Sequence, residues 1–165
     1  MSEYSPDLVL QKFHDVAQRW AKKNGGLTSV ATDAFHVLEI LAESPLGLRV
    51  IVYWAGDVAV DEEQCDIAFV THTIEIILSF NLGLTAKPES GVMANREDRK
   101  SLLKNLSILK GNIRGMKLPD EETSGTPRYV GCEPVVTPEG VPLAAYRMSF
   151  KLDTREEELI VEREV

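Results

Sequence analysis

The sequence predicts an α+β domain: a mainly antiparallel β-sheet with two principal α-helices packed on one face. Three observations lead there. First, from Cys65 to Leu84 the even positions Ala68, Val70, His72, Ile74, Ile76, Leu78, Phe80, Leu82 and Leu84 alternate with Thr71, Thr73, Glu75, Ser79 and Asn81. Period two, with β-branched and aromatic residues dominant, is the pattern of a half-buried strand. Second, two other stretches carry apolar stripes at helical spacing: Val9, Phe13, Val16 and Trp20, then Leu102, Leu106, Leu109, Ile113 and Met116. Third, 165 residues with 44% apolar and 27% charged side chains suit one domain able to bury a core.

The first helix opens on Ser5-Pro6-Asp7, a capping hydroxyl followed by proline at the first helical position and an early acid. Lys22, Lys23 and the Asn24-Gly25-Gly26 run close it. Ala34 to Glu43 is ambiguous: Phe35, Leu38 and Leu41 suit a short helix, whereas Val37, Glu39 and Ile40 suit a strand. The short apolar run favours the strand slightly.

After a Ser44-Pro45-Leu46-Gly47 break, Leu48 to Val60 reads as a strand with Leu48, Val50, Val52, Trp54, Val58 and Val60 on one face and Arg49, Tyr53 and Asp57 on the other. Gly56 interrupts it as a bulge or bend would. Asp61 to Gln64 forms a polar hairpin tip into the central strand. Asp57, Asp61, Glu62, Glu63 and Asp66 lack the spaced oxygens and central glycine of a calcium loop, so a solvated tip is the simpler reading. Twenty residues of strand would extend about 66 Å, so the central strand is expected to bend or break near His72, or to project its Cys65 end as an arm.

Asn95 caps the second long helix, with Asp98 three residues on. Its exposed side is basic: Arg96, Arg99, Lys100, Lys104, Lys110, Arg114 and Lys117. A final hairpin follows, Arg128 to Val136, a Thr137-Pro138-Glu139-Gly140 turn, and a return strand to Leu152 with Ala144, Tyr146, Met148, Phe150 and Leu152 on its buried face. Residues 1–152 are read as a single domain. Residues 153–165, DTREEELIVEREV, form an acidic C-terminal tail in which Leu159, Ile160 and Val161 resemble a docking patch.

A formal net charge of −8 disfavours tight, general binding to a phosphate backbone. Cys65 and Cys132 lie far apart and are expected to be buried free thiols of a reducing cytosol. The N-terminus lacks the basic start and apolar run of a signal peptide, and no apolar run is read as a membrane span, so synthesis and retention in the cytoplasm are expected.

No catalytic constellation is legible. P-loop, dinucleotide and nucleophile-elbow patterns are absent, and Gly111 to Gly115 falls inside a helix. His14, His36 and His72 sit on separate elements without metal-ligand spacing. His72 and Glu75 lie three apart on a strand, which sends them to opposite faces; a satisfied core or rim histidine is the simpler reading. No enzyme, cofactor or metal is expected.

The order of helix, long central hairpin, helix and closing hairpin resembles the tail terminator (tail completion) proteins of long-tailed bacteriophages. The resemblance rests on Leu48-Arg49-Val50-Ile51-Val52-Tyr53-Trp54, the long strand after it, the helix from Asn95 and the closing Tyr146 to Leu152 strand. It is one of layout over roughly residues 5 to 152, and the tail after Leu152 falls outside it. It implies a virion structural protein forming a homo-oligomeric ring, commonly a hexamer, on the end of the tail tube. Such a ring stops tube growth, meets neck or head-completion proteins, and lets DNA pass through its channel. It implies no active site and no membrane partner.

A basic helix and acidic segments on one chain suit head-to-tail contacts. The candidate interface pairs Lys100, Lys104, Lys110 and Arg114 with Asp61, Glu62 and Glu63, or with Glu156, Glu157 and Glu158, of a neighbour; solvated faces or an intramolecular pairing remain open at this point. The alternatives are another neck, head-completion or tail-tube protein, or, in a different class, a cytoplasmic binding module or small enzyme.

Overall fold

A computed structural model describes residues 6–45, 47–59, 68–81, 102–116, 127–140 and 143–156. Its elements are α1 (Pro6–Lys23), β1 (Leu27–Ala31), α2 (Ala34–Ala42), β2 (Gly47–Ala59), β3 (Ala68–Asn81), α3 (Leu102–Arg114), β4 (Arg128–Pro134) and β5 (Leu143–Glu156). The strands form one sheet in the order β1-β2-β3-β5-β4. β2–β3, β3–β5 and β4–β5 are antiparallel, and β1–β2 is parallel. The expected α+β class, with a mainly antiparallel sheet, is the class observed.

The central strand is as the alternation implies. β3 pairs with β5 without a register shift from Ala68↔Glu156 to Asn81↔Leu143. It does not break at His72. The irregularity lies instead on β2, where the pairing steps from Trp54↔Ile74 to Asp57↔His72 and leaves Ala55 and Gly56 opposite Thr73. One extra residue makes this a β-bulge. Gly56 has φ +104°, a conformation L side chains rarely adopt.

The bulge inverts the expected facing of the end of β2. Val58, expected on the core face, is 70% exposed. Asp57, expected on the other face, is the direct cross-strand partner of His72 and shares its side. Simple parity cannot survive an inserted residue.

Alternate residues of the sheet feed two cores. Val50, Val52, Ile74, Ile76, Leu78, Met148, Phe150 and Leu152 join Val9, Phe13, Ala17 and Trp20 of α1 and Leu102, Leu106, Leu109 and Ile113 of α3 in one cluster. Ile51, Ile77, Leu143 and Ala145, of the opposite parity, join Val37 and Leu41 of α2 in a smaller one. Phe150 ties the larger core together, with ring centroids 6.2 Å from Phe13 and 5.7 Å from Tyr129. The closing hairpin therefore has its expected buried face and, around Ala145, a second covered one.

α1 starts at Pro6 and stops in a glycine motif: the Gly26 N–H donates to the Ala21 carbonyl at 2.8 Å, with Gly25 at φ +71°. Residues 34–43 are not a strand. Asp33 caps α2, its carboxylate accepting from the His36 N–H at 2.7 Å. The buried positions are Val37 and Leu41, one helical turn apart, while Phe35 points outward. Topology requires the helix: β1, a strand not expected from the sequence, runs parallel to β2, and parallel neighbours need a crossover.

The sheet also continues past the expected boundary at Leu152. Asp153 to Glu156 pair with Thr71 to Ala68, and Thr154 is buried. The hairpin tip 61–64, the cap at Asn95 and the tail from residue 157 lie outside the described residues, as does Cys65. Cys132, expected to be buried, is exposed on edge strand β4.

Candidate interaction surfaces

Lys104, Lys110 and Arg114 all lie on α3. Lys110 and Arg114, four residues apart, share one side of the helix; Lys104 stands about a third of a turn away. The Lys110 ammonium sits 4.7 Å from the centre of the Tyr129 ring, a cation–π contact within the chain. Beside it Gly111, Arg114 and Gly115 face Pro127 and, on β4, Arg128 and Tyr129 across an open cleft of about 600 Å³. Arg128 donates to Asp153 at 3.1 Å while 62% of its side chain stays exposed. Burial, reinforced by the nearby Cys132, raises the pKa of Tyr129 above its usual value. The fold thus brings into the cleft wall Arg114, which the sequence singled out, and Arg128, which it did not, with Lys110 beside them on the Tyr129 ring.

Of the other candidate interface residues, Lys100, Asp61, Glu62, Glu63, Glu157 and Glu158 lie outside the described residues. Glu156 ends β5 opposite Ala68. Sequence spacing placed Lys110 and Arg114 on one helix, but the approach of β4 is a tertiary fact with no local signal.

A second surface lies on the α2 side of the sheet. A groove of about 280 Å³ has walls of Ala34, Val37 and Leu38 on one side and Pro134, Val135 and Val136 on the other. Its floor carries Tyr53, Glu75, Ile77 and Arg147. Arg147 bridges strands, with Nη1 3.5 Å from Glu75 and Nη2 3.3 Å from Glu133. Its Nε is buried with no hydrogen-bond partner.

His72 lies in the α1/α3-side core and is fully buried. The Trp54 indole N–H donates to its Nδ1 at 3.2 Å. That fixes Nδ1 as an acceptor, so Nε2 carries the proton and donates to the Thr154 hydroxyl at 2.8 Å. Burial lowers the pKa of His72, and the charge of Asp57 opposes the shift. A neutral, doubly hydrogen-bonded imidazole is what a buried structural histidine requires. Glu75 points to the opposite face, as its spacing implies.

Among the described residues, no three His, Cys, Asp or Glu side chains come together in a way that could hold a metal ion. No described helix is long and apolar enough to cross a membrane. The chain matches no protein-family model, and no curated protein matches it.

Proposed function

We propose that this protein is a structural ring subunit of a long-tailed phage, a tail terminator that caps the tail tube and joins it to the neck. The observation that carries the reading is the layout: a β2–β3–β5 spine with α1 and α3 sharing one core against it. This is the arrangement implied by the resemblance of the sequence to that family. The two sheet edges add support. β1 and β4 run in opposite directions at opposite ends of the sheet. Identical copies placed side by side in one orientation would therefore meet β4 to β1 antiparallel, a heterologous contact of the kind that closes rings. The two edges carry the exposed apolar residues Val130, Leu27 and Val30.

In this reading Lys100, Lys104, Lys110 and Arg114 face acidic segments of the neighbouring subunit. Light scattering on the purified chain should give a closed oligomer, and negative-stain microscopy should show it on the end of purified tail tubes. Reversing Lys100 and Lys104 to Glu should shrink the assembly at low salt. A monomer that ignores tail tubes would overturn the proposal, and unchanged assembly of the charge-reversed variant at low and high salt would remove the ionic contact from it.

The α2-side groove favours one second reading, a small binding module. Apolar walls over an ionic floor are the usual build of a small-molecule site. A monomer whose Arg147 signals shift with an added carboxylate compound would support that reading.

A further inference from the structure

We propose that His72 is the latch of an acid-sensitive switch in the sheet: a second proton on its ring releases the Trp54 indole and draws the imidazolium to Asp57. The hydrogen-bond geometry leaves little choice. The neutral ring joins three strands, accepting at Nδ1 from Trp54 of β2 at 3.2 Å and donating from Nε2 to Thr154 of β5 at 2.8 Å. Nε2 already carries a hydrogen, so a second proton goes to Nδ1. Nδ1 then becomes a donor and faces an indole N–H, which can only donate. Two donors cannot share one hydrogen bond, and each has to find another acceptor.

The fold supplies both acceptors. Asp57 is the direct cross-strand partner of His72 and stands on the same side of the sheet, where Cβ atoms of such pairs lie about 4.5–5.5 Å apart. It is exposed, so its carboxylate is already hydrated and free of any burial cost. Trp54 is half-buried, so its N–H reaches water by a turn of the side chain. The Thr154 hydroxyl accepts from Nε2 in both states, which makes the β3–β5 side the pivot and β2 the side that moves. The bulge at Ala55 and Gly56 is what brings Asp57 round to the imidazole.

Other charges are kept away from the ring. On β3, Glu75 points to the opposite face. On β5, Asp153 is turned to that face too, where it accepts from Thr71 and Arg128. α1 and α3 bring apolar side chains, among them Val9, Phe13, Leu106 and Leu109, to the His72 side of the sheet. Asp57 is the group whose charge favours the second proton, against burial, so the latch is closed at neutral pH and opens below 6.5. Every group of the device belongs to one chain, and it is independent of the ring reading.

The test is a pH titration of the full, isotope-labelled chain by nuclear magnetic resonance, watching the His72 ring nitrogens and the Trp54 indole N–H. Far-ultraviolet dichroism checks the fold at each pH. Below pH 6.5 the Nδ1 signal should move to that of a protonated nitrogen. The Trp54 signal should move with the same midpoint, before the dichroism changes. Asp57→Asn, at an exposed position, should lower the shared midpoint by about 0.5 pH unit. Glu75→Gln, on the opposite face, should leave it in place. A Trp54 signal that stays put while His72 titrates, or that moves only as the dichroism is lost, overturns the inference. So does a midpoint that Asp57→Asn leaves unmoved.

Discussion

His72 has no water to fall back on, and both of its nitrogens are committed. Thr154→Val leaves the Nε2–H unpartnered and should cost about 1–3 kcal/mol in urea unfolding, while Thr154→Ser, which keeps the hydroxyl, should cost much less. The same histidine sets a pH dependence. Its folded-state pKa lies below the usual 6.5 because burial disfavours the imidazolium. The unfolded chain therefore takes up the proton first. The contribution of His72 to stability is complete above 6.5 and is lost as the pH falls from there through the folded-state pKa. Unfolding midpoints followed from about pH 8 to pH 5 should fall more steeply in the native sequence than in His72→Asn. Cys132 shows a different lesson at this scale. Burial of its thiol raises its pKa; Lys110 pulls it down and Glu133 pushes it up. Exposed on the edge strand yet poor in thiolate, it should react slowly with maleimide at neutral pH.

At the scale of elements, α2 depends on its first turn. Asp33→Ala should destabilise the protein by about 1 kcal/mol and Asp33→Asn by a few tenths, as measured by thermal or urea unfolding. Gly56→Val forces a β-branched residue to positive φ at the bulge and should cost more than about 1 kcal/mol. These two places are also where the sequence was hardest to read. α1, α3 and β3 were legible because each repeats its period several times: Phe13 and Trp20, Leu102 and Ile113, Ile74 and Leu78 all sit where the repeat puts them. α2 has only two buried anchors, Val37 and Leu41, and the exposed Phe35 and Leu38 supply a competing pattern. β1 spans five residues and buries Ala31 but leaves Leu27 and Val30 exposed, so its sequence carries no alternation to detect. The basic cleft was half legible. Lys110 and Arg114 share a helix face by spacing, whereas Arg128 and Tyr129 reach them only because β4 is the last strand of the sheet.

For the whole molecule, the larger core makes one cooperative unit. It draws side chains from α1, β2, β3, α3 and β5, with Tyr129 of β4 packed against it. Phe150, fully buried between Phe13 and Tyr129, is a keystone of that packing. Phe150→Ala should cost about 3–5 kcal/mol. Tryptophan fluorescence and far-ultraviolet dichroism should still report coincident transitions, since no described element has a core of its own large enough to persist. The α2-side cluster is smaller, and the sheet beyond it carries Glu75, Arg147 and Glu133 in place of apolar residues. Arg147 is half-buried, so these ion pairs stabilise little and screen with salt.

The bulge on β2 has a consequence for how this strand tolerates change. On the α1/α3 side β2 contributes the even-numbered Val50, Val52 and Trp54, Ile51 is buried on the α2 side, and after the bulge the odd-numbered Asp57, itself exposed, takes the side of His72. A saturation scan along β2 should therefore find Val50, Ile51 and Val52 all sensitive, since both faces are covered there, and the positions past the bulge far more tolerant. Val58 should accept lysine or threonine, while bulky apolar replacements of Asp57 should be felt through His72. Deleting Gly56 would close the phase slip, turn Val58 inward and carry Asp57 away from the imidazole. In that deletion the acid-side loss of stability attributed to His72 should still begin near 6.5 but continue to a lower pH, because the nearby charge that favours its protonation has moved to the other side of the sheet and the folded-state pKa falls further.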